Sequence, residues 1–167
     1  MRRAAHPAMA LAGRWMVLLC AAWLTACATP RPVAPGEAAW NGRLALRVDN
    51  DPPQSFSAGF DLRGSAQTGE LQLTSPLGTT LATVIWSPQG AELRQGGQIT
   101  QRSSLDELTT ELGGTALPVG ALFEWLQGQA GSASGWQVDL ARHAEGRVTA
   151  WRTSPPPTAE LRIVFEP

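Results

Sequence analysis

Lysine and tyrosine are absent from the 167 residues, and cysteine occurs only as Cys20 and Cys27. Every cation is therefore an arginine. The arginines are scattered and form no basic stripe, which argues against nucleic acid as a partner. With no cysteine beyond Cys27, an exported mature chain has no disulfide to form. The chain holds two histidines, and only His143 lies beyond residue 26. Metal sites usually need several His, Cys or carboxylate groups converging, and no such spacing appears, so no metal and no cofactor is expected. A Gly-x-Ser-x-Gly elbow and a phosphate-cradling loop are missing too. Carboxylates such as Asp106 and Glu107 fall in a helix's first turn, where the macrodipole accounts for them. His143 sits near a turn and reads as a solvated strand-end residue. The expectation is a protein that binds and does not catalyse.

What is present begins with a leader. Met1-Arg2-Arg3 and Arg14 precede an apolar run from Trp15 to Ala26 that only Thr25 interrupts. A basic head followed by a short apolar stretch is the pattern of a secretory signal, too short for a comfortable bilayer span. Leu24-Thr25-Ala26-Cys27 closes it and resembles a lipobox, in which small residues suit the peptidase and the Cys27 thiolate accepts diacylglycerol. Ala28, where an aspartate would retain the protein, resembles the sorting residue of proteins sent to the outer membrane. Two or three acyl chains hold where one would not. The expected organisation is a signal peptide over 1–26, the acylated cysteine and a tether over 27–39, and one domain over 40–167. Removing residues 1–26 leaves 141 residues, enough for a real core. Ten arginines then face fourteen carboxylates, a net charge of about −4. The tether is rich in proline and, extended at about 3.1 Å per residue, would hold the domain roughly 30 Å from the membrane.

From Trp40 onward strand patterns dominate. Leu44, Leu46 and Val48 alternate with Arg43, Ala45 and Arg47, before the turn chemistry of Asp49–Pro53. Phe56, Ala58, Phe60 and Leu62 share one face of a half-buried strand with a wet opposite face. Leu71 and Leu73 alternate next, and Ser75-Pro76-Leu77-Gly78 interrupts before Thr79–Trp86, which reads as apolar on both faces. Short strands over Ala91–Arg94 and Gln98–Gln101 follow. The period then changes. Ser104-Leu105-Asp106-Glu107 fits a capping box, and Leu105, Leu108 and Leu112 recur at helical spacing until Gly113-Gly114. Pro118 suits the first turn of a second helix carrying Leu122, Phe123, Trp125 and Leu126 to Gly128. After a small-residue loop over Gly131–Gly135, strands resume at Trp136–Leu140, Val148–Arg152 and Leu161–Phe165. Meandering strands with a helical insert predict a mainly β fold, a curved antiparallel sheet with helices across one face.

Trp40, Trp86, Trp125, Trp136 and Trp151 are many tryptophans for such a domain. They either fill the core or line a cavity for a greasy ligand, since ligand pockets are mostly apolar and aromatic. Leu77 poses a like choice: it packs inward at a strand crossing, or projects from a loop that Pro76 restricts and Gly78 lets turn sharply. An exposed leucine there would gain about 1.5–3 kcal/mol on full burial in a membrane or partner.

Trp40-Asn41-Gly42-Arg43-Leu44, Phe56–Leu62, Leu71-Gln72-Leu73-Thr74-Ser75-Pro76-Leu77-Gly78-Thr79 and Leu122-Phe123-Glu124-Trp125-Leu126-Gln127-Gly128 stand in that order behind the lipobox. Together with Gly135–Val138 and Glu160–Ile163, they resemble the outer-membrane lipoprotein receptor family LolB. The stretch between Trp125 and Trp136 is shorter than the family's, short of a strand pair, which leaves the strand count after Gly128 open. The resemblance implies an unclosed antiparallel β-barrel with a short helical lid, like LolA and LolB. It also implies an apolar interior that holds the acyl chains of cargo lipoproteins taken from the periplasmic carrier LolA. Transfer into the outer membrane would use neither nucleotide nor metal, and a monomer is expected. Leu77 matches the family's protruding-loop leucine, so Leu77, Pro76 and Gly78 form the expected membrane-insertion loop. The one-sided strand Phe56–Leu62 and the apolar face of the second helix offer a wall. Phe56, Phe60, Leu73, Trp86, Leu122, Trp125 and Trp136 are its candidates. Two further readings stay open: a lipid-binding or assembly-scaffold lipoprotein of similar fold, and a tethered periplasmic hydrolase, which convergent acids in an open cleft would favour.

Overall fold

Alternation of apolar and polar residues produces strands wherever one face can be buried and the other wetted, and the computed structural model carries that rule through the domain. It describes residues 38–113, 117–131 and 133–166. The expected signal over 1–26, Cys27, the tether to residue 37 and Gly114 lie outside the described residues.

The strands are β1 (Ala38–Val48), β2 (Gln54–Gly64), β3 (Gly69–Thr74), β4 (Thr80–Ser87), β5 (Gly90–Gln95) and β6 (Gln98–Arg102). Helices α1 (Leu105–Gly113) and α2 (Val119–Leu126) follow, and then β7 (Trp136–Asp139), β8 (Arg147–Arg152) and β9 (Ala159–Phe165). All nine form one antiparallel sheet in the order β6-β5-β4-β3-β2-β1-β9-β8-β7. The edges β6 and β7 do not pair with each other, so the barrel is unclosed, as the resemblance implies. Among the described residues three strands follow Gly128, where the short Trp125–Trp136 stretch had left the count open.

Register assigns the faces. Leu44 lies opposite Ala58 and Ile163, Leu62 opposite Leu71, and Leu71 opposite Val84. Directly opposed residues share a face, and this inner face is buried while the strand arginines and carboxylates, Arg102 and Arg152 apart, take the outer one. Gly42 sits on the inner face between Phe60 and Phe165. A Cβ there would run into the backbone of Val164 and Phe165, so only glycine allows β1 and β9 to approach so closely.

Strand β4 departs from its sequence reading. Ala82, Val84 and Trp86 are buried, while Thr83 and Ile85 are half-buried on the other face. Leu73 pairs with Ala82 and Thr74 with Thr80, so Leu81 is an extra residue in a β-bulge. A bulge redirects a side chain, and the consequence appears at the cavity described below.

The Ser104 hydroxyl accepts from the Glu107 backbone N–H at 3.2 Å, as the capping pattern predicts. The reciprocal bond differs: the Glu107 carboxylate accepts from the Ser103 hydroxyl at 2.7 Å. Replacing Ser104 with alanine should cost about 1 kcal/mol, read as a lower urea midpoint. Helix α2 starts one residue later than expected, with Pro118 as its flanking cap residue. Its Val119, Ala121, Leu122, Phe123, Trp125 and Leu126 are all buried. A helix apolar nearly all round must be covered on more than one side. Phe123 packs edge-on against Trp40 of β1 and Trp86 of β4, with ring centroids 5.6 and 6.1 Å away. On the far side Trp125 meets Trp136 at 6.4 Å, and its indole N–H donates to the Gly131 carbonyl at 2.9 Å.

Helix α2 is held at its C-terminal end by His143, which corrects the reading of that residue as a solvated strand end. His143 is half-buried; its Nε2 lies 2.9 Å from the Leu126 carbonyl, and its ring lies 5.3 Å from that of Phe165. A carbonyl only accepts, so Nε2 carries the proton in this contact.

Candidate functional site

The strand ends define two rims. One holds the ends of β1, β3, β5 and β8 and the starts of β2, β4, β6, β7 and β9. An apolar cavity of about 440 Å³ lies inside the sheet toward this rim. That volume is within the usual range for small-molecule sites. Its floor is formed by Leu46, Leu71, Ala82 and Val84 of the sheet with Val119 of α2 and Thr109 of α1. Its polar residues Gln54, Ser55 and Gln95 sit at strand ends on the rim itself. None of the lining residues is charged.

Two sequence candidates are on its wall. Leu73 lines the interior, and Phe56 stands at the mouth with 40% of its surface exposed. Phe60, Trp86, Leu122, Trp125 and Trp136 are buried elsewhere in the core and do not line it. Sequence reasoning missed Leu81, which the bulge turns into the cavity beside Ala82. It also missed Leu117, Val119 and Thr109. Thr109 is a buried polar residue whose hydroxyl donates to the Asp106 carbonyl and accepts the Leu117 N–H at 3.1 Å. With both roles of its hydroxyl filled, Thr109 fixes the segment before α2 against α1 without leaving an unpaired group in the wall.

Leu77 stands on the same rim, and 94% of its surface is exposed. The projection is built into the backbone. Gly78 N–H donates to the Ser75 carbonyl at 2.9 Å, closing a turn with Pro76 and Leu77 at its centre. Pro76 has a pre-set φ, and Gly78 takes φ +82°, which suits glycine. The Ser75 hydroxyl then accepts from Thr79 N–H at 3.2 Å, and Ser75 N–H donates to the Thr79 carbonyl. Of the two readings of Leu77, the structure favours the projecting one.

The polar chemistry stays on the outside. The Gln101 amide and Arg94 hold the Glu92 carboxyl below its ordinary range, and Arg142 does the same for Glu145. Neither carboxylate lines the cavity. Among the described residues no group of three or more His, Cys, Asp or Glu could hold a metal ion. No helix among them is long and apolar enough to cross a membrane.

The sequence is similar to those of known proteins. A protein of Shewanella woodyi called outer-membrane lipoprotein LolB is 36% identical over 125 residues, which cover 68% of this chain and 57% of that protein. The protein of the same name from Cupriavidus metallidurans is 31% identical over 156 residues, 86% of this chain and 76% of its own. That of Bordetella petrii is 28% identical over 170 residues, with 84% and 85% covered. The chain thus spans a little over half of the first of these and more of the others. The family model described as outer membrane lipoprotein LolB matches residues 38–156, from the first strand to past the end of β8. The chain belongs to the LolB family of outer-membrane lipoproteins.

Proposed function

We propose that this chain is an outer-membrane receptor that accepts lipoproteins from the periplasmic carrier LolA and releases them into the outer membrane. Cargo acyl chains occupy the apolar cavity, and no bond is made or broken, so the chain is a binding protein and not an enzyme. One observation carries the reading: an uncharged cavity toward the same rim from which a leucine projects almost fully exposed. Each methylene moved from water to an apolar site gains about 0.8 kcal/mol, so acyl chains alone supply ample binding. Release needs a membrane within reach of the domain, and acyl chains on Cys27 with the tether that precedes β1 supply it; Ala38 and Ala39, expected in the tether, are part of that strand.

The anchor then acts as a location device and not as part of the transfer. Incubated with LolA-bound lipoprotein, the chain should strip cargo from the carrier. A Cys27→Ala form with a cleavable signal should fold, remain soluble and accept cargo equally well. Wild type that takes no cargo from LolA would sink the receptor reading. A Cys27→Ala form that neither folds nor accepts cargo would sink only the tether reading.

A further inference from the structure

Among the described residues, one cation on the inner face has enclosed N–H groups without an acceptor. Arg152 ends β8, opposite Trp136 of β7 and Ala159 of β9. Ala159 lies opposite Val48, and Val48 opposite Gln54. Arg152 therefore stands in the same transverse row as Val48 and Gln54, which line the cavity at its rim. Its Nε and Nη1 are enclosed and find no acceptor among the described residues. The carboxylates that line the same surface hollow as Arg152 are engaged. Asp49 accepts from Arg47 and from the Thr158 hydroxyl, and Glu160 pairs with Arg162.

Enclosing a guanidinium N–H without an acceptor is costly. A methionine would follow the alternation Val148, Ala150 without that cost. Local violations of this kind persist where function uses them. The geometry also selects the ligand. Nε and Nη1 lie on opposite edges of the planar guanidinium, so one carboxylate cannot satisfy both. Two acceptor oxygens set apart from each other can. On a diacylated cysteine such oxygens are the glyceryl ester carbonyls, which sit where the apolar chains end. With the chains in the cavity, those carbonyls fall at the rim.

We infer that Arg152 is a cargo-binding residue, donating from Nε and Nη1 to the ester carbonyl oxygens of the acylated cysteine and setting how deep its chains enter. The inference rests on the cavity reading above. Both N–H groups are enclosed in the cargo-free chain, and Arg152 does not line the cavity there, so the assignment requires its side chain to turn toward the rim when cargo enters.

The test compares the full chain with its Arg152→Met variant, held in lipid nanodiscs. Two probes are used, a dipalmitoylglyceryl-cysteine peptide and its diether analogue, which has the same chains without ester carbonyls. The variant should melt no lower than wild type. It should bind the diester about tenfold more weakly, the order expected for a lost charge-assisted hydrogen bond, and the diether unchanged. Equal losses on both probes, no loss on the diester, or a markedly lower melting temperature would each overturn the assignment. Wild type that binds neither probe would overturn the cavity reading itself and this inference with it. Wild type that binds both, with a variant indifferent to the ester, would overturn this inference alone.

Discussion

Replacing Leu77 with glutamate should leave the melting temperature nearly unchanged and leave uptake of cargo from LolA intact, while slowing insertion of cargo into liposomes by about tenfold or more. Leu77 is 94% exposed at the tip of its turn. The bonds that shape the turn run between Ser75, Gly78 and Thr79 backbone groups and the Ser75 hydroxyl, and none involves the leucine side chain. Surface substitutions of this kind stay within about 0.5 kcal/mol of wild type. The effect on delivery follows from transfer energies. A leucine fully buried in the lipid interface gains about 1.5–3 kcal/mol, and each 1.4 kcal/mol is roughly a factor of ten in a membrane-bound population. Glutamate forfeits that gain and resists entering the interface. In the proposed function uptake takes place in the cavity, whose lining does not include Leu77. A thermal melt, a LolA-to-receptor transfer and a liposome incorporation assay on one variant separate the steps. Loss of uptake together with delivery would mean that the loop contacts the carrier and not only the membrane.

The strands were legible because each has one wet face. From Gly42–Val48 to Leu161–Phe165, every run with period two became a strand, and the change of period at Ser104 became a helix. The order of strands was not legible, since β9 returning to lie beside β1 is a pairing between distant segments that alternation does not encode. Nor could alternation tell wall from core. Phe56 and Phe60 share a face and a period, yet one stands at a mouth and the other is sealed in. What separates them is their distance along the strand from the rim. Leu81 was hidden for a different reason: a bulge shifts parity within β4, and from sequence alone the result looks like a strand apolar on both faces. Arg152 was visible in principle. It occupies the inner parity of Val148 and Ala150, where an apolar residue belongs, and that mismatch is the signal that could have found it.

The division between wall and core has a sharper consequence at Trp125. Trp125→Ala should destabilise the domain by about 3–5 kcal/mol, the usual cost of truncating a buried aromatic. Against a total of about 5–15 kcal/mol for a domain, that is a large fraction, and the urea midpoint should fall accordingly. Trp125 has no exposed surface, and its ring meets Trp136 while its indole N–H satisfies the Gly131 carbonyl. Removing it would open a void between α2 and β7 and leave that carbonyl without its donor. Trp125→Phe keeps most of the volume and loses the donor, so it should cost about 1–2 kcal/mol. The segment just beyond is tied to the same place. Gly128, at φ +77°, packs beside the His143 ring, and Gln129 N–H donates to the Glu124 carbonyl at 2.8 Å. A half-exposed rim residue offers the contrast: Phe56→Ala should lose little stability and weaken acyl binding, because Phe56 lines the cavity and Trp125 does not. If Trp125→Ala instead cost only about 1 kcal/mol and weakened acyl binding as Phe56→Ala should, Trp125 would belong to the wall, and the cavity would reach under α2 toward β7.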